Sequence, residues 1–136
     1  MIVVSWNWSE YYHIARFLCS DCQGDKTGFS KDAEIRCGIS RAYYAAFHVA
    51  MDYAMKNTIE NTRFNPKPEE AKSADIHKLV IQYYHDKHKD AIAQKLGMLR
   101  DWRNDCDYHP EYNHFYEGAL SRSVYILREC GEEIID

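Results

Sequence analysis

Apolar residues recur along this chain at spacings of three and four, the period of an amphipathic helix rather than of a strand. Tyr12, Ala15 and Leu18 share one face of a helix predicted from about Ser9 to Leu18, with Ser9 as its N-cap. The longest pattern runs from about Asp32 to Lys56. Ile35, Ile39, Ala42, Ala46, Val49 and Tyr53 form one stripe of it, and Tyr43, Phe47, Ala50 and Ala54 a second. A helix apolar over so much of its girth belongs at the centre of a bundle. Its alanines (Ala42, Ala45, Ala46, Ala50) let neighbours come close. A third helix is predicted from a Ser73 N-cap, with Asp75 in its first turn, to about His85. It carries Ile76, Leu79, Val80 and Tyr83. The fourth begins near Asp90 and has the stripe Ile92, Leu96, Leu99, Arg103, Cys106. The fifth is predicted from about Asn113 to Glu133, with Phe115, Ala119, Val124 and Leu127 facing inward.

Between these patterns lie polar breaks. SDCQGDKTGFS, from Ser20, holds two glycines and no periodicity, so it reads as a loop. NTIENTRFNPKPEEAKS, from Asn57, holds two prolines and many charges and is predicted to be the longest and most mobile loop. No segment alternates as a half-buried strand does. The expectation is an all-α, up-and-down bundle of four to five helices, one domain spanning residues 1–136.

Composition narrows the class. The net charge is −4, so a broadly basic nucleic-acid binder is not expected, while a local basic site remains open. The 11 tyrosines suit helix interfaces near polar clefts and equally suit base stacking, so alone they decide nothing. Five cysteines, an odd number, come without a secretory signal or a membrane-length apolar run. That pattern predicts reduced thiols and a cytoplasmic location, with no membrane partner. Cys19 and Cys22 form a lone CxxC pair with no second pair to complete a zinc site. His85 and His88 offer a second metal reading, against the plainer one of a solvated helix end. No metal and no cofactor is expected.

One position breaks the pattern. The fourth stripe advances by four, three, four and three, so residue 103 is a seam position where leucine is the default. It holds Arg103, whose charge cannot be shed. Asp107, one turn on, offers a partner, and a half-buried pair closing the bundle is the plain structural reading. Pro110 disfavours helical geometry at His109, so the helix should end near Tyr108. On an ideal helix His109 would sit about 120° off the face of Arg103. A break after Tyr108 offers a way back, bringing imidazole and guanidinium to one terminus beside Asn104. A lone histidine there otherwise serves as a partner for the helix dipole. Arg is a bidentate phosphate clamp, and His moves protons near neutrality. Together they suit attack of an RNA 2′-hydroxyl on its own phosphodiester, which needs a base, an acid and a cation but no metal. One chain supplies one such histidine, so two chains meeting at this helix would supply a pair. Arg41, Lys95 and Arg100 are candidates for a basic rim, with Arg41 equally readable as a helix-surface residue.

IRCGISRAYYAAFHVA (Ile35 to Ala50) resembles the second-helix signature of HEPN domains, the higher eukaryotes and prokaryotes nucleotide-binding helical bundles. LRDWRNDCDYH (Leu99 to His109) resembles their late signature, an Arg followed after four to six residues by His, with Asn, Asp or His often right after the Arg, here Asn104. Cys106-Asp107-Tyr108 is similar to a frequent ending of that signature, and His77 fits a family habit. The resemblance implies a dimeric bundle of four to five helices. It also implies metal-independent endoribonuclease activity on RNA, transfer RNA included, in a toxin or defence protein. Arg103, Asn104 and His109 are then catalytic, and Asp107, Tyr108, Arg100 and Arg41 support or bind substrate. It further implies a nucleotidyltransferase partner acting as antitoxin. The tyrosine that such partners modify stands two residues after the His in some members; here Glu111 is there, and Tyr112 follows. The rival expectation is a non-catalytic HEPN module that binds a nucleotide or docks a nucleotidyltransferase.

Overall fold

The structure, a computed structural model, describes residues 7–21, 28–57, 75–111 and 115–134. These form five α-helices: α1 (Glu10–Arg16), α2 (Lys31–Lys56), α3 (Asp75–Asp86), α4 (Asp90–Tyr108) and α5 (Tyr116–Glu129). A wider π turn, Phe17–Asp21, extends α1. There is no strand among the described residues. The chain is thus an all-α bundle, and none of these helices is long and apolar enough to cross a membrane. Ser73 and Asn113, expected at two helix starts, and the segment 58–72 lie outside the described residues.

The centre of the bundle is α2, as its double stripe requires. Ser30 starts it, with its hydroxyl accepting from the Ala33 N–H at 3.1 Å. Asp32 and Glu34 sit in the first turn, where the helix dipole favours negative charge. The helix packs against α1, α3, α4 and α5. Ile39, Tyr43 and Phe47 join Val80, Tyr84, Leu96, Leu99 and Ile126 in the main core. Ala45 and Val49, on another face, meet Tyr12, Leu127 and Ile134. A side chain at Gly38 would collide with Cys19 Sγ and stand 3.0 Å from the Ala15 carbonyl, so glycine is what lets α1 lie on α2. Two buried hydroxyls also reach the α2 backbone. Ser123 Oγ donates to the Ala42 carbonyl and Tyr84 OH to that of Ala50, each at 2.7 Å.

Three expectations need correction. Ser9 is not a side-chain cap: its own backbone is helical, and its N–H donates to Asn7 Oδ1 at 3.0 Å. Phe115 does not face inward. It precedes α5 and is 64% exposed. Nor does α5 run to Glu133. Gly131 takes φ +91°, and the N–H groups of Gly131 and Glu132 return to the carbonyls of Arg128 and Leu127 at 3.1 and 2.9 Å. That pair of bonds is a Schellman stop, which a glycine just past the helix makes easy.

The same motif ends α3 without a glycine. His88 N–H donates to the His85 carbonyl at 3.1 Å and Lys89 N–H to that of Tyr84 at 2.8 Å, with His88 at φ +59°. A side chain in this left-handed region costs about 1–2 kcal/mol. His88→Gly, at an exposed turn, is therefore expected to raise the melting temperature by about 3–5 °C. A calorimetric scan showing no rise would mean that the turn holds His88 without strain.

Candidate functional site at the end of α4

The last two turns of α4 carry the odd seam. Leu99 and Cys106 are buried, and Arg103 lies between them on the same stripe with its side chain 14% exposed. Its guanidinium stands over the rings of Tyr43 and Tyr44, 5.5 and 5.4 Å from their centroids. The faces of these rings attract a cation where a leucine would have met apolar carbon. The expected ion pair forms too, with Nη1 3.5 Å from Asp107 Oδ2.

The helix stops where Pro110 makes it stop. His109 has extended backbone (φ −119°, ψ 96°) and makes the final N–H bond, to the Asp105 carbonyl at 2.9 Å. The next helical bond would run from residue 110 to the Cys106 carbonyl, but proline has no N–H to give. Arg36, from the start of α2, replaces it. Its Nη1 donates to the carbonyls of Cys106 (2.9 Å) and His109 (3.0 Å) and its Nη2 to that of Pro110 (2.8 Å). Asp32 holds the base of this fork at 2.8 Å from Nε. One planar cation thus satisfies the Cys106 carbonyl that the helix end leaves orphaned and two more just beyond it.

The His109 ring itself is left outside, 67% exposed, with Nε2 3.7 Å from Asp105 Oδ1. Asp105 lies about 160° around the helix from Arg103. The expected break after Tyr108 is present, and it leaves the imidazole on the Asp105 flank while Arg103 faces Asp107 and the tyrosines. Within one chain the two are not brought together. Asn104, next to Arg103, is half-buried, and Tyr108 is exposed.

The cations expected at a rim go to different neighbourhoods. Arg41 is exposed and stands over the Tyr11 ring at 5.2 Å, and Lys95 stands over Tyr125 at 4.3 Å. Arg100 instead joins Arg103 near His77 and Tyr43. His77 stacks on Phe47 at 4.2 Å between ring centroids and is hydrogen-bonded through Nδ1 to the Tyr43 hydroxyl. Burial, and then the positive charges of Arg100, Arg103 and the nearby His48, bring the His77 pKa down to about 4. Burial holds the Tyr43 phenol protonated well past its usual range, against the pull of the two arginines. In the tautomer that lets the Tyr43 O–H donate to Nδ1, the ring proton of His77 stands on Nε2. His48 is also shifted down by burial. Its ring stacks on Trp8 at 3.7 Å, and its buried Nδ1 has no partner among the described residues.

Helical periodicity alone does not bring these residues together, whereas the position of the turn between α3 and α4 does. Residues equally far from a tight helical turn lie side by side. His88 is the turn, so His77 must fall level with Leu99 and Arg100. A pH dependence follows. An unfolded histidine titrates near 6.5, whereas folded His77 titrates at about 4. Between these values the unfolded chain binds the extra proton, so this contribution is whole above pH 6.5 and is lost as pH falls towards 4. The urea midpoint is expected to drop over that window, and to drop less in His77→Gln. Parallel curves for the two proteins would remove His77 from the acid response.

The metal readings gain no third ligand. His85 Nδ1 is 2.9 Å from Asp90 Oδ1, His88 is in the turn, and among the described residues no group of three His, Cys, Asp or Glu side chains is placed to hold a metal ion. Cys19 is buried, its thiol pushed up to about 12 by burial, and Cys22 lies outside the described residues. Set against known proteins, the chain matches no family model, no curated protein and no solved structure.

Proposed function

We infer that this chain is a metal-independent endoribonuclease of HEPN type, acting as a homodimer with the ends of two α4 helices facing one RNA. The observation that carries this reading is the state of His109. A histidine after a helix is ordinarily a dipole partner, but here the cation at the helix end is Arg36, on the Cys106 carbonyl of the last turn and the His109 and Pro110 carbonyls just beyond it. The imidazole is left exposed on a backbone that is firmly held, which suits a group that must meet substrate.

In this reading Arg103 clamps the scissile phosphate and stabilises the charge that builds on it. The partner's His109 takes the proton of the 2′-hydroxyl or returns one to the leaving 5′-oxygen. The 2′-oxygen bonds to phosphorus as the 5′-oxygen departs, leaving a cyclic phosphate. Asn104 orients the phosphate or the imidazole, and Asp107 sets the angle of Arg103. The opposite facing of Arg103 and His109 within one chain is why the site is assigned to two. A toxin or defence role, a transfer RNA target, a cytoplasmic location and a nucleotidyltransferase antitoxin belong to the same reading.

The engagement of Arg103 by Asp107, Tyr43 and Tyr44 favours a second reading. There it is a structural cation in a non-catalytic module that binds a nucleotide or a nucleotidyltransferase. Incubating total RNA and transfer RNA with the purified protein in excess EDTA, beside His109→Ala, separates the two. Cleavage by the wild type alone supports the nuclease. Intact RNA in both reactions favours the module.

A further inference from the structure

Arg100 and Arg103 lie one turn apart on α4, and both of their charges bear on Tyr43 and His77. Only one carboxylate answers them. Asp107 stands 3.5 Å from Arg103, and Arg100 has no ion pair or hydrogen bond among the described residues. The Nε atoms of both arginines are buried without a partner. Both side chains are nevertheless partly exposed, so solvent reaches the cluster from one side. Half-buried guanidinium groups without acceptors are costly, and an anion removes the cost.

The donors define the anion. Two guanidinium forks and one neutral imidazole N–H offer more bonds than the two oxygens of a carboxylate accept. They match a tetrahedral oxyanion that offers several acceptor oxygens. We propose that Arg100, Arg103 and His77, with Tyr43 orienting the imidazole, form a binding site for a phosphate group. The site shares Arg103 with the proposed nuclease but not His109, so a phosphate is held there whether or not the chain cuts RNA. The groups facing His77 are Arg100 and Arg103 from α4 and Tyr43 and His48 from α2. Every charge among them opposes its protonation. The negative charge of a bound phosphate opposes that balance, and His77 then takes up a proton at a higher pH.

The test is a titration of the histidine side chains by nitrogen-15 NMR, in inorganic phosphate and in sodium chloride of equal ionic strength. Chloride controls for plain screening of the arginines. Phosphate is expected to raise the His77 pKa above its chloride value by about one unit. Arg100→Gln should lose most of that rise and Lys56→Gln, at an exposed cation on the last turn of α2, should keep it. A short DNA oligonucleotide, which lacks the 2′-hydroxyl and so cannot be cut by that route, replaces phosphate in a further arm. A shift at lower concentration with DNA assigns the site to the backbone of a nucleic acid. A shift with inorganic phosphate alone assigns it to a free phosphate. Identical His77 titrations in phosphate and chloride overturn the site, and so does a full rise in Arg100→Gln. None of these readouts needs cleavage, so failure here is separate from failure of the nuclease reading.

Discussion

His109→Ala is expected to lower EDTA-resistant RNA cleavage by about 100-fold or more, the usual worth of a positioned acid or base. The melting temperature should move by no more than about 2 °C, because an exposed ring with one long ion pair contributes little to folding. Arg103→Met is the complementary variant. Losing the cation at the phosphate should cost about 100- to 1,000-fold in rate. Yet the fold should gain, since an apolar chain on the seam removes a buried, unpartnered Nε–H. Activity lost together with a raised melting temperature is a signature that a merely damaged protein does not give. Cleavage surviving in Arg103→Met would take Arg103 out of the chemistry. A monomer as active as the dimer in sedimentation-matched assays would sink the shared cleft.

Leu99→Ala is expected to cost about 2–5 kcal/mol and to lower the melting temperature by roughly 10–15 °C. Leu99 is fully buried in the main core and lies one turn before Arg103 on the seam. Removing its branched end leaves a hole between α2, α3 and α4 that rigid helices fill only in part. Total stability for such a domain is about 5–15 kcal/mol, so the loss is a large share of it. Phosphate, through the site beside Leu99, should recover some of that loss by binding only the folded chain. Chemical denaturation with and without phosphate checks both statements. A shift under 1 °C would show that the core closes over the gap.

Much of this fold was legible because its helices are amphipathic and separated by strong breakers. The start of α4 at Asp90, its end at Tyr108 and the pairing of Arg103 with Asp107 all follow from local rules that the bundle does not override. What misled was local chemistry judged without its neighbours. Apolar residues continue past Gly131 to Ile134, but Ile134 packs into the core from beyond the end of α5. Phe115 has the right spacing to face inward but lies before the first turn of α5, where spacing has no meaning. Arg36 was invisible for another reason. Its partners are more than 70 positions away, and nothing near it announces that Pro110 leaves a carbonyl to be served. The His77 cluster needed a tertiary step, the folding of α3 back on α4, before its members met.

The two buried hydroxyls on α2 have a consequence for uniqueness rather than strength. An alanine-rich helix presents a smooth surface, and a neighbour displaced along it by one turn, 5.4 Å in an ideal helix, meets nearly the same shape. Apolar packing alone therefore separates the native arrangement from its slipped copies only weakly. Ser123 on Ala42 and Tyr84 on Ala50 act as two index marks, one for α5 and one for α3. A slip by part of a turn buries each hydroxyl away from its carbonyl, at a cost of about 1–3 kcal/mol for each, and after a full turn the next carbonyl stands about 40° around the helix. The chain thus rejects the wrong alignments rather than merely favouring the right one, and the residues at the end of α4 inherit a single set of neighbours.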